Sequence, residues 1–329
     1  MKTLVIQPAF IGDAVISIAL AEALKSIEPA AEIIYLVRPE AANLLRYAPA
    51  IAAVIPFDKY GADAGVKRIQ RKAEELNTYH FDAVFCLHNS KRTLELLKRI
   101  NCPIKVGGTS NSAFTHIADS TFGDDAVKRV VRFATCLYSN VDLEILPRLE
   151  IPDSLLPESL LKSRASAIGI APGSVWGTKR WRAESFCQLI EQLVRNGEIV
   201  TLIGLDKDID KALISSLNSM NYNLLNYISK LTLEETAAAI SRLKLLISND
   251  SASVHIAVAT KTPVIDIFGP TVPSFGFAPR PENGLALEIN DLWCRPCTTH
   301  GSNQCPVYTH DCMKRISVDM VLDSIKKYV

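Results

Sequence analysis

The chain has no long hydrophobic run and no excess of one charge, and each of these two absences excludes a class of protein. Of its 329 residues, 48% are hydrophobic, 22% charged and 7% aromatic, and its formal net charge is +1. No stretch approaches the roughly 20 apolar residues that cross a bilayer, so we expect no transmembrane segment. Proteins that coat nucleic acids are usually strongly basic, so we also expect no nucleic-acid partner.

The N-terminus has too short an apolar run for an export signal, and residues 1–8 predict a first β-strand instead. We therefore expect a cytoplasmic protein, in which the eight cysteines are mostly reduced thiols. Four of them follow the spacing Cys294-x2-Cys297-x7-Cys305-x6-Cys312, in which the second pair lacks zinc-ribbon spacing. A structural zinc site is thus less favoured here than a tucked loop, with or without a disulfide.

Both halves of the chain alternate short β-branched runs with longer amphipathic segments, a pattern typical of βαβ units on a parallel sheet. Pro147, Pro152 and Pro157 punctuate a polar linker between the halves. We therefore predict an α/β fold of two Rossmann-like, doubly wound domains, 1–152 and 153–316, that face a central cleft. Segment 317–329 is predicted to be a C-terminal helix that packs back on the first domain.

The first strand leads through Gly12 and Asp13 into a helix that is predicted to run from about Ala14 to Ser26. Gly12 permits a positive φ and a close approach of the backbone to a ligand. Asp13 is either a helix cap or a general base at the cleft edge, and both roles are compatible. The G-x-G-x-x-G motif is absent, which disfavours a dehydrogenase.

A Gly/Ser/Thr-rich loop follows the first strand of the second half and runs into Lys179 and Arg180. Backbone N–H groups and hydroxyls can cradle phosphate oxygens while the two cations neutralise them. The alternative is an exposed loop whose tryptophans pack on the domain. Asp206 follows the next strand, where a carboxylate can accept a ribose hydroxyl, and a metal pair with Asp208 is the less favoured interpretation.

A third strand-to-helix loop begins at Asn249. Asn249 or Asp250 is predicted to cap the helix, with the N–H groups of Ser251 and Ala252 forming an anion site. His255, one turn further on, either reaches the same anion or fills the helix core. Three such loops in one domain favour a nucleoside diphosphate ligand.

Basic residues concentrate in the first domain, where residues 59–105 carry ten Lys and Arg against five Asp and Glu. Four of them share one face of a predicted helix, and a polar run from 88 to 92 follows a strand. The surface is either a solvated charged face or a binding site for an anionic, membrane-embedded acceptor.

Several short motifs in a fixed order resemble glycosyltransferase family 9, the ADP-heptose:lipopolysaccharide heptosyltransferases, and are most similar to heptosyltransferase II. They are Ile11-Gly12-Asp13, Ala171-Pro172-Gly173-Ser174, Thr178-Lys179-Arg180-Trp181, Ser248-Asn249-Asp250-Ser251 with His255, Phe268-Gly269-Pro270-Thr271 and the Cys-rich tail.

The resemblance implies a GT-B fold and an inverting, metal-independent transfer of heptose from ADP-L-glycero-D-manno-heptose to the lipopolysaccharide inner core. It implies that Asp13 deprotonates the acceptor hydroxyl and that Lys179 offsets charge on the departing ADP. The donor-binding residues are expected to be Gly12, Ser174, Thr178, Lys179, Arg180, Asp206, Asp250, Ser251, Ala252 and His255. The acceptor-binding residues are expected to be Lys67, Arg68, Arg71, Lys72, Asn89, Ser90 and Arg92.

The implied partners are ADP-heptose, as substrate and not as cofactor, and an anionic lipid A–Kdo–heptose acceptor. The enzyme is expected at the cytoplasmic face of the inner membrane as a peripheral protein, without a metal ion. Two alternatives stay open: the same fold with a different nucleotide-sugar donor or acceptor, and a non-catalytic nucleotide-sugar-binding protein.

Overall fold

The computed structural model describes residues 1–121, 123, 125–163, 167–219 and 224–328. The chain divides into two compact units, Met1–Glu150 and Ile151–Val329. Position 329, the end of the predicted segment 317–329, lies outside the described residues. Within the described part of the chain, no helix combines the length and the apolar character needed to span a bilayer.

The first unit is built on a six-stranded parallel sheet with the strand order β3-β2-β1-β4-β5-β6. Its elements in chain order are β1 (Lys2–Gln7), α1 (Ile11–Ile27), β2 (Glu32–Val37), α2 (Pro39–Leu45), β3 (Ala53–Pro56), α3 (Val66–Asn77), β4 (Ala83–Cys86), α4 (Lys91–Arg99), β5 (Ile104–Gly107), β6 (His116–Ile117) and α5 (Ala126–Val131).

Helices cover both faces of this sheet. Leu4 and Ile6 of β1 pack on one side against apolar residues of α3 and α4. On the other side, the buried Tyr35 of β2 donates its hydroxyl hydrogen to the carbonyl of Ser17 in α1, at 2.5 Å. The central strands are therefore apolar on both faces, as expected for a doubly wound parallel sheet.

The second unit repeats the design with the strand order β12-β11-β10-β7-β8-β9, all parallel. Its elements are α6 (Glu158–Ser163), β7 (Ala167–Ala171), α7 (Ala183–Arg195), β8 (Ile199–Leu202), α8 (Lys211–Ser219), β9 (Leu225–Asn226), α9 (Leu233–Ser241), β10 (Leu245–Asn249), α10 (Ala252–Ala259), β11 (Val264–Ile267), β12 (Gly284–Leu287), α11 (Asp311–Lys314) and α12 (Val318–Ile325).

The last helix, α12, belongs to the second unit by its contacts. It packs against α7 and β11, and Val321 and Ile325 join the same apolar core as Ile190 and Leu193 of α7. The buried indole of Trp181 donates to the carbonyl of Ile316, at 2.9 Å, and so ties the start of α7 to the segment before α12. Burial of this amphipathic face accounts for the position of the helix.

Helix α1 begins earlier than the sequence suggests. The expected start near Ala14 is replaced by Ile11, and Phe10 is the N-cap. Gly12 is therefore inside the first turn and is not among the glycines with positive φ, so it does not use the left-handed conformation that glycine permits. Asp13 is the third residue of the helix and not its cap, although its charge still complements the helix dipole.

Candidate active site

Strand ends of the second sheet bring together a buried ion pair. Lys179 lies in the loop after β7, and its Nζ is 2.5 Å from Oδ2 of Asp250, which follows β10. The two side chains are only 12% and 9% exposed. Thr271, which follows β11, donates its hydroxyl hydrogen to the same carboxylate oxygen at 2.8 Å. Since neighbouring parallel strands end at one edge of a sheet, three loops that are distant in sequence meet here.

The fully buried Asn249 holds two of these loops together. Its amide nitrogen donates to the carbonyl of Pro172 at 2.7 Å, and its oxygen accepts from the N–H of Trp181 at 3.0 Å. Asn249 is therefore a structural tie across residues 172–181 and not the predicted helix cap. A satisfied, buried amide of this kind restricts the loop to one conformation.

Ser174 and Arg180 lie on the same loop and are linked through the backbone. Ser174 is buried, its N–H donates to the carbonyl of Asp208 at 2.9 Å, and its own carbonyl accepts from Nε of Arg180 at 2.8 Å. The loop and the start of the segment after β8 are thereby joined. The hydrogen bond from Nε of Arg180 thus helps to fix the conformation of the loop. A contact of Arg180 with the nucleotide-sugar donor stays a prediction.

Helix α10 starts beside the ion pair. Its N-cap is Ser251, so the prediction that Asn249 or Asp250 caps this helix is wrong. The first amides of a helix lack partners within it, and at this end the dipole favours an anion. Ala252 is the first helical residue.

His255 is partly buried in α10, with its ring 6.3 Å from that of Phe277. Burial lowers the pKa of His255 to about 4; the negative charge of Asp250 opposes this effect and Lys179 reinforces it. The imidazole is therefore neutral at pH 7, and it can offer a hydrogen bond but no charge to a phosphate.

Asp206 is exposed in a short 3₁₀ turn after β8. Its carboxylate accepts from the hydroxyl of Ser229 at 2.9 Å and from the N–H of Lys207 at 2.7 Å. The position at the carboxyl end of a strand agrees with the one predicted for a ribose contact, and the contact itself stays a prediction.

The predicted donor-binding residue Thr178 contacts the Cys-rich segment, and its contact with the donor stays a prediction. It is 3% exposed, and its hydroxyl hydrogen-bonds Ser302 in the Cys-rich segment.

All eight cysteines are free thiols, and burial raises the pKa of Cys312 to about 11. Among the residues that the structure describes, no three His, Cys, Asp or Glu side chains are grouped so that they could hold a metal ion, so the zinc interpretation gains no support.

In the first unit, the carboxyl edge of the sheet carries Asp13 and a group of three cations, of which only Arg92 is a predicted acceptor residue. Asp13 is half-buried in the first turn of α1, after β1, and β1 lies between β2 and β4. The three cations are Arg38 after β2, Lys59 after β3 and Arg92 in the first turn of α4.

These cations surround one exposed ring. Arg38, Lys59 and Arg92 lie 5.9, 5.2 and 5.0 Å from the ring centroid of Tyr60, which is 63% exposed. Such distances are typical of cation–π contacts. We call these four residues the cation cluster.

Lys59 is the unusual member of the cation cluster, since it is only 3% exposed. Burial, together with the positive charges of Arg38 and Arg92, lowers its pKa to about 8. Its Nζ lies 3.4 Å from Nε2 of His88, whose pKa burial lowers to about 4, with Lys59 adding to the effect. A neutral His88 accepts this hydrogen bond but supplies no negative charge, so the cluster attracts anions.

The predicted acceptor residues have mixed surroundings. On α3, Lys72 pairs with Glu75 at 2.9 Å and Arg68 donates to the carbonyls of Gly61 and Ala62, while Lys67 and Arg71 are exposed. Beside α4, Ser90 is the N-cap and Asn89 donates to Thr109 at 3.1 Å. Of the seven predicted acceptor residues, Arg92 lies in the cation cluster.

Comparison with known proteins identifies the family. The sequence model of glycosyltransferase family 9 (heptosyltransferase) matches residues 69–307, more than half of the chain. The chain belongs to this family. The resemblance to this family that the sequence motifs predicted is thus confirmed, and the protein is a glycosyltransferase. Among curated relatives, lipopolysaccharide heptosyltransferase 2 of Salmonella typhimurium is 26% identical over 294 residues, which cover 84% of each chain.

Solved structures support the fold of this family 9 glycosyltransferase. A glycosyl transferase family 9 protein from Veillonella parvula superposes with a TM-score of 0.86 at 22% identity, covering 99% of this chain and 96% of that one. The ADP-heptose lps heptosyltransferase II of E. coli gives 0.79 at 21% identity, with 100% and 98% covered. The predicted α/β fold of GT-B type is confirmed.

Sequence reasoning missed several residues of this glycosyltransferase's candidate site. Thr271 was noted only as the end of a motif, and Arg38 and Lys59 were not considered. Each directly or closely follows a β-strand, which is the signal that could have identified them. Asp266, inside β11, carries no such signal because its interest lies in complete burial without a hydrogen-bond partner among the described residues.

Proposed function

We propose that this glycosyltransferase moves heptose from ADP-L-glycero-D-manno-heptose to the inner core of lipopolysaccharide, with inversion at the anomeric carbon and without a metal ion. The names of the relatives support the donor and the acceptor, since they are heptosyltransferases of lipopolysaccharide and one is described with ADP-heptose. The acceptor would be an anionic lipid A–Kdo–heptose molecule, which the enzyme would meet as a peripheral protein at the cytoplasmic face of the inner membrane.

The observation that carries the proposal is the buried Lys179–Asp250 pair beside the N-terminus of α10. A nucleoside diphosphate placed here receives the positive charge of Lys179 and the amides of Ser251 and Ala252. Asp250 then retains the hydroxyl of Thr271 and turns to the sugar hydroxyls of the donor. The site therefore supplies positive charge at the phosphates and an acceptor of hydrogen bonds for the sugar.

The chemical step is a direct displacement. The acceptor hydroxyl oxygen forms a bond to the anomeric carbon of heptose, and Asp13 accepts the hydroxyl proton. The bond between the anomeric carbon and the β-phosphate oxygen breaks, and ADP leaves with the electron pair. Lys179 and the amides at the start of α10 stabilise the added charge on ADP, the task that a metal ion performs in other enzymes.

The cation cluster supports an anionic acceptor. Lys59 is buried among positive charges, and a phosphate or carboxylate of the acceptor would relieve their repulsion. Asp13 follows β1 at the same edge of this sheet. An acceptor anchored by its anionic groups at Arg38, Lys59 and Arg92 would thus have a hydroxyl within reach of a base on the same unit.

A donor panel tests the proposal. The purified protein is incubated with a heptosylated Kdo–lipid A acceptor and ADP-heptose, ADP-glucose or UDP- and GDP-sugars, in the presence and absence of EDTA. We expect ADP release and an inverted glycoside with ADP-heptose alone, at an unchanged rate in EDTA. Turnover with another nucleotide sugar would replace the donor assignment, and binding without transfer would indicate a nucleotide-sugar-binding protein instead.

A further inference from the structure

The Cys-rich segment, residues 294–312, forms hydrogen bonds with every polar atom of Thr178, the residue before Lys179. The N–H and the hydroxyl of Thr178 both donate to the carbonyl of Ser302, at 2.9 and 2.7 Å. The N–H of Ser302 donates back to the Thr178 hydroxyl at 2.9 Å. Nε2 of His310 donates to the Thr178 carbonyl at 2.8 Å. Every polar atom of Thr178 is therefore bonded to this segment.

The same segment also packs against the stem of Lys179. Gly301 has φ +98°, and a Cβ atom there would lie 3.2 Å from Cγ of Lys179 and 3.0 Å from Cβ of Trp176. Gly177 faces the segment from the other side, since its Cβ would lie 3.1 Å from the carbonyl oxygen of Asn303. The backbone of each segment thus lies so close to atoms of the other that only glycine fits at Gly177 and Gly301 without displacement.

Asp250, which forms the ion pair with Lys179, is also held by the Cys-rich segment, through Thr271. Arg295, whose side chain is 3% exposed, donates from Nη2 to the carbonyl of Thr271 at 2.6 Å. Thr271 in turn donates its hydroxyl hydrogen to Asp250. The N–H of Cys297 donates to the carbonyl of Pro270 at 2.9 Å, which adds a second tie to the loop after β11.

We infer that the Cys-rich segment is a positioning element that fixes Lys179, through Thr178 and Gly301, and Asp250, through Arg295 and Thr271, in the geometry that the donor diphosphate requires. The inference rests on the proposed role of Lys179 in binding the donor. Lysine has a long, flexible side chain, so its ammonium is placed accurately only when its backbone and stem are immobilised. Thr178 is accordingly a positioning residue and not a contact of the donor.

A pair of glycine substitutions separates positioning from general strain. Gly301→Ala places a methyl group against Lys179 and Trp176, whereas Gly197→Ala, at φ +84°, meets nothing within 4 Å. Both variants carry the backbone strain of alanine at positive φ. Since displacements of about 1 Å can cost a hundredfold in rate, we expect Gly301→Ala to lower kcat/KM for the donor at least tenfold. The KM for the acceptor stays constant, and Gly197→Ala has normal kinetics.

A second set of variants tests the route through Thr178. Thr178→Val keeps the shape of the side chain but loses the hydroxyl, with its one hydrogen-bond donor and two acceptor sites, while Thr178→Ser keeps the hydroxyl. We expect Thr178→Val to raise the donor KM and to lower kcat, and Thr178→Ser to restore both. In a Lys179→Ala background, Thr178→Val should have no further effect, because the group that it positions is gone.

The outcomes distinguish this inference from the proposed function. Normal donor kinetics of Gly301→Ala and Thr178→Val, combined with an impaired Lys179→Ala, would overturn the positioning role alone. Additive losses in the double variant would overturn it as well. Normal activity of Lys179→Ala would contradict the proposed role of Lys179 and, with it, the inference.

Discussion

Lys179 and Asp250 form an ion pair of 2.5 Å between two loops that are 71 residues apart in sequence, with both side chains nearly enclosed. Both charges are satisfied before any substrate arrives. In the proposed function, a donor diphosphate would compete with Asp250 for the ammonium, and donor binding would exchange one charged partner of Lys179 for another. This exchange limits the desolvation cost, because Lys179 has already lost most of its water.

Replacing Asp250 by Ala should lower the free energy of unfolding of the protein and impair sugar transfer. The substitution leaves the Lys179 ammonium enclosed without a negative partner, which typically costs about 3 kcal/mol of folding free energy. Urea unfolding measures this loss. The control is Asp323→Ala, because Asp323 pairs with Lys326 at 2.8 Å on the surface, where such pairs contribute about 0.5 kcal/mol. Equal losses in the two variants would contradict an enclosed pair.

ADP offers a second measurement on the same variant. Its phosphates can replace the missing carboxylate beside Lys179, so ADP should raise the Tm of Asp250→Ala more than that of the unaltered protein. An equal or smaller shift would mean that the phosphates do not reach Lys179.

Asp13→Asn should abolish transfer while it leaves ADP affinity unchanged. An amide cannot accept the hydroxyl proton, and loss of a general base typically lowers kcat by about 100-fold to 10,000-fold. Asp319→Asn is the matched control, since Asp319 is also acidic in the first turn of a helix, α12, and both changes remove the same favourable interaction with a helix dipole. Near-normal turnover of Asp13→Asn would refute the base assignment.

Asp266 should make the stability of the protein fall as pH rises. It is fully buried in β11, and burial raises its pKa well above the usual range, with the nearby negative charge of Asp250 adding to the effect and Lys179 opposing it. The folded state thus keeps a proton that the unfolded chain has lost above about pH 4. The contribution is fully present below the unfolded pKa and is lost as pH rises through the folded one.

Asp266→Asn removes this dependence. Between the unfolded and folded pKa values of Asp266, the variant should gain about 1.4 kcal/mol per pH unit relative to the unaltered protein, as measured by urea unfolding from pH 5 to 8. Asp291→Asn makes the same change of charge on the surface, where Arg315 lowers the pKa of Asp291, and it should show no such trend over this range. Parallel curves for Asp266→Asn and the unaltered protein would show that Asp266 is ionised when folded.

Lys59→Met should weaken acceptor binding without loss of stability. The substitution removes a buried cation that is repelled by Arg38 and Arg92, and methionine fills a similar volume. Loss of one charge-assisted hydrogen bond should raise the acceptor KM about tenfold or more. In the unaltered protein, the KM should also rise as pH passes about 8, where Lys59 loses its charge. Lys98→Met, which removes an exposed cation, should leave the KM unchanged.

Local patterns in the sequence were sufficient for the alternation of strands and helices in each unit and for the strand-end positions of Lys179, Asp206 and Asp250. The start of α1 was misplaced because Phe10 carries no capping side chain that would reveal it. The cap of α10 was misplaced because three polar residues precede the helix, and only the backbone conformation of Ser251 distinguishes them.

The sequence alone therefore determined the doubly wound parallel sheets, because βαβ periodicity and buried apolar strands are local properties that short segments encode. The tertiary structure decided which polar residues meet. The Lys59–His88 contact, the Lys179–Asp250 pair and the bonding of Thr178 to the Cys-rich segment join residues 29 to 132 positions apart. Strand order and side-chain packing bring such residues together, and neither can be deduced from the residue spacing within a single motif.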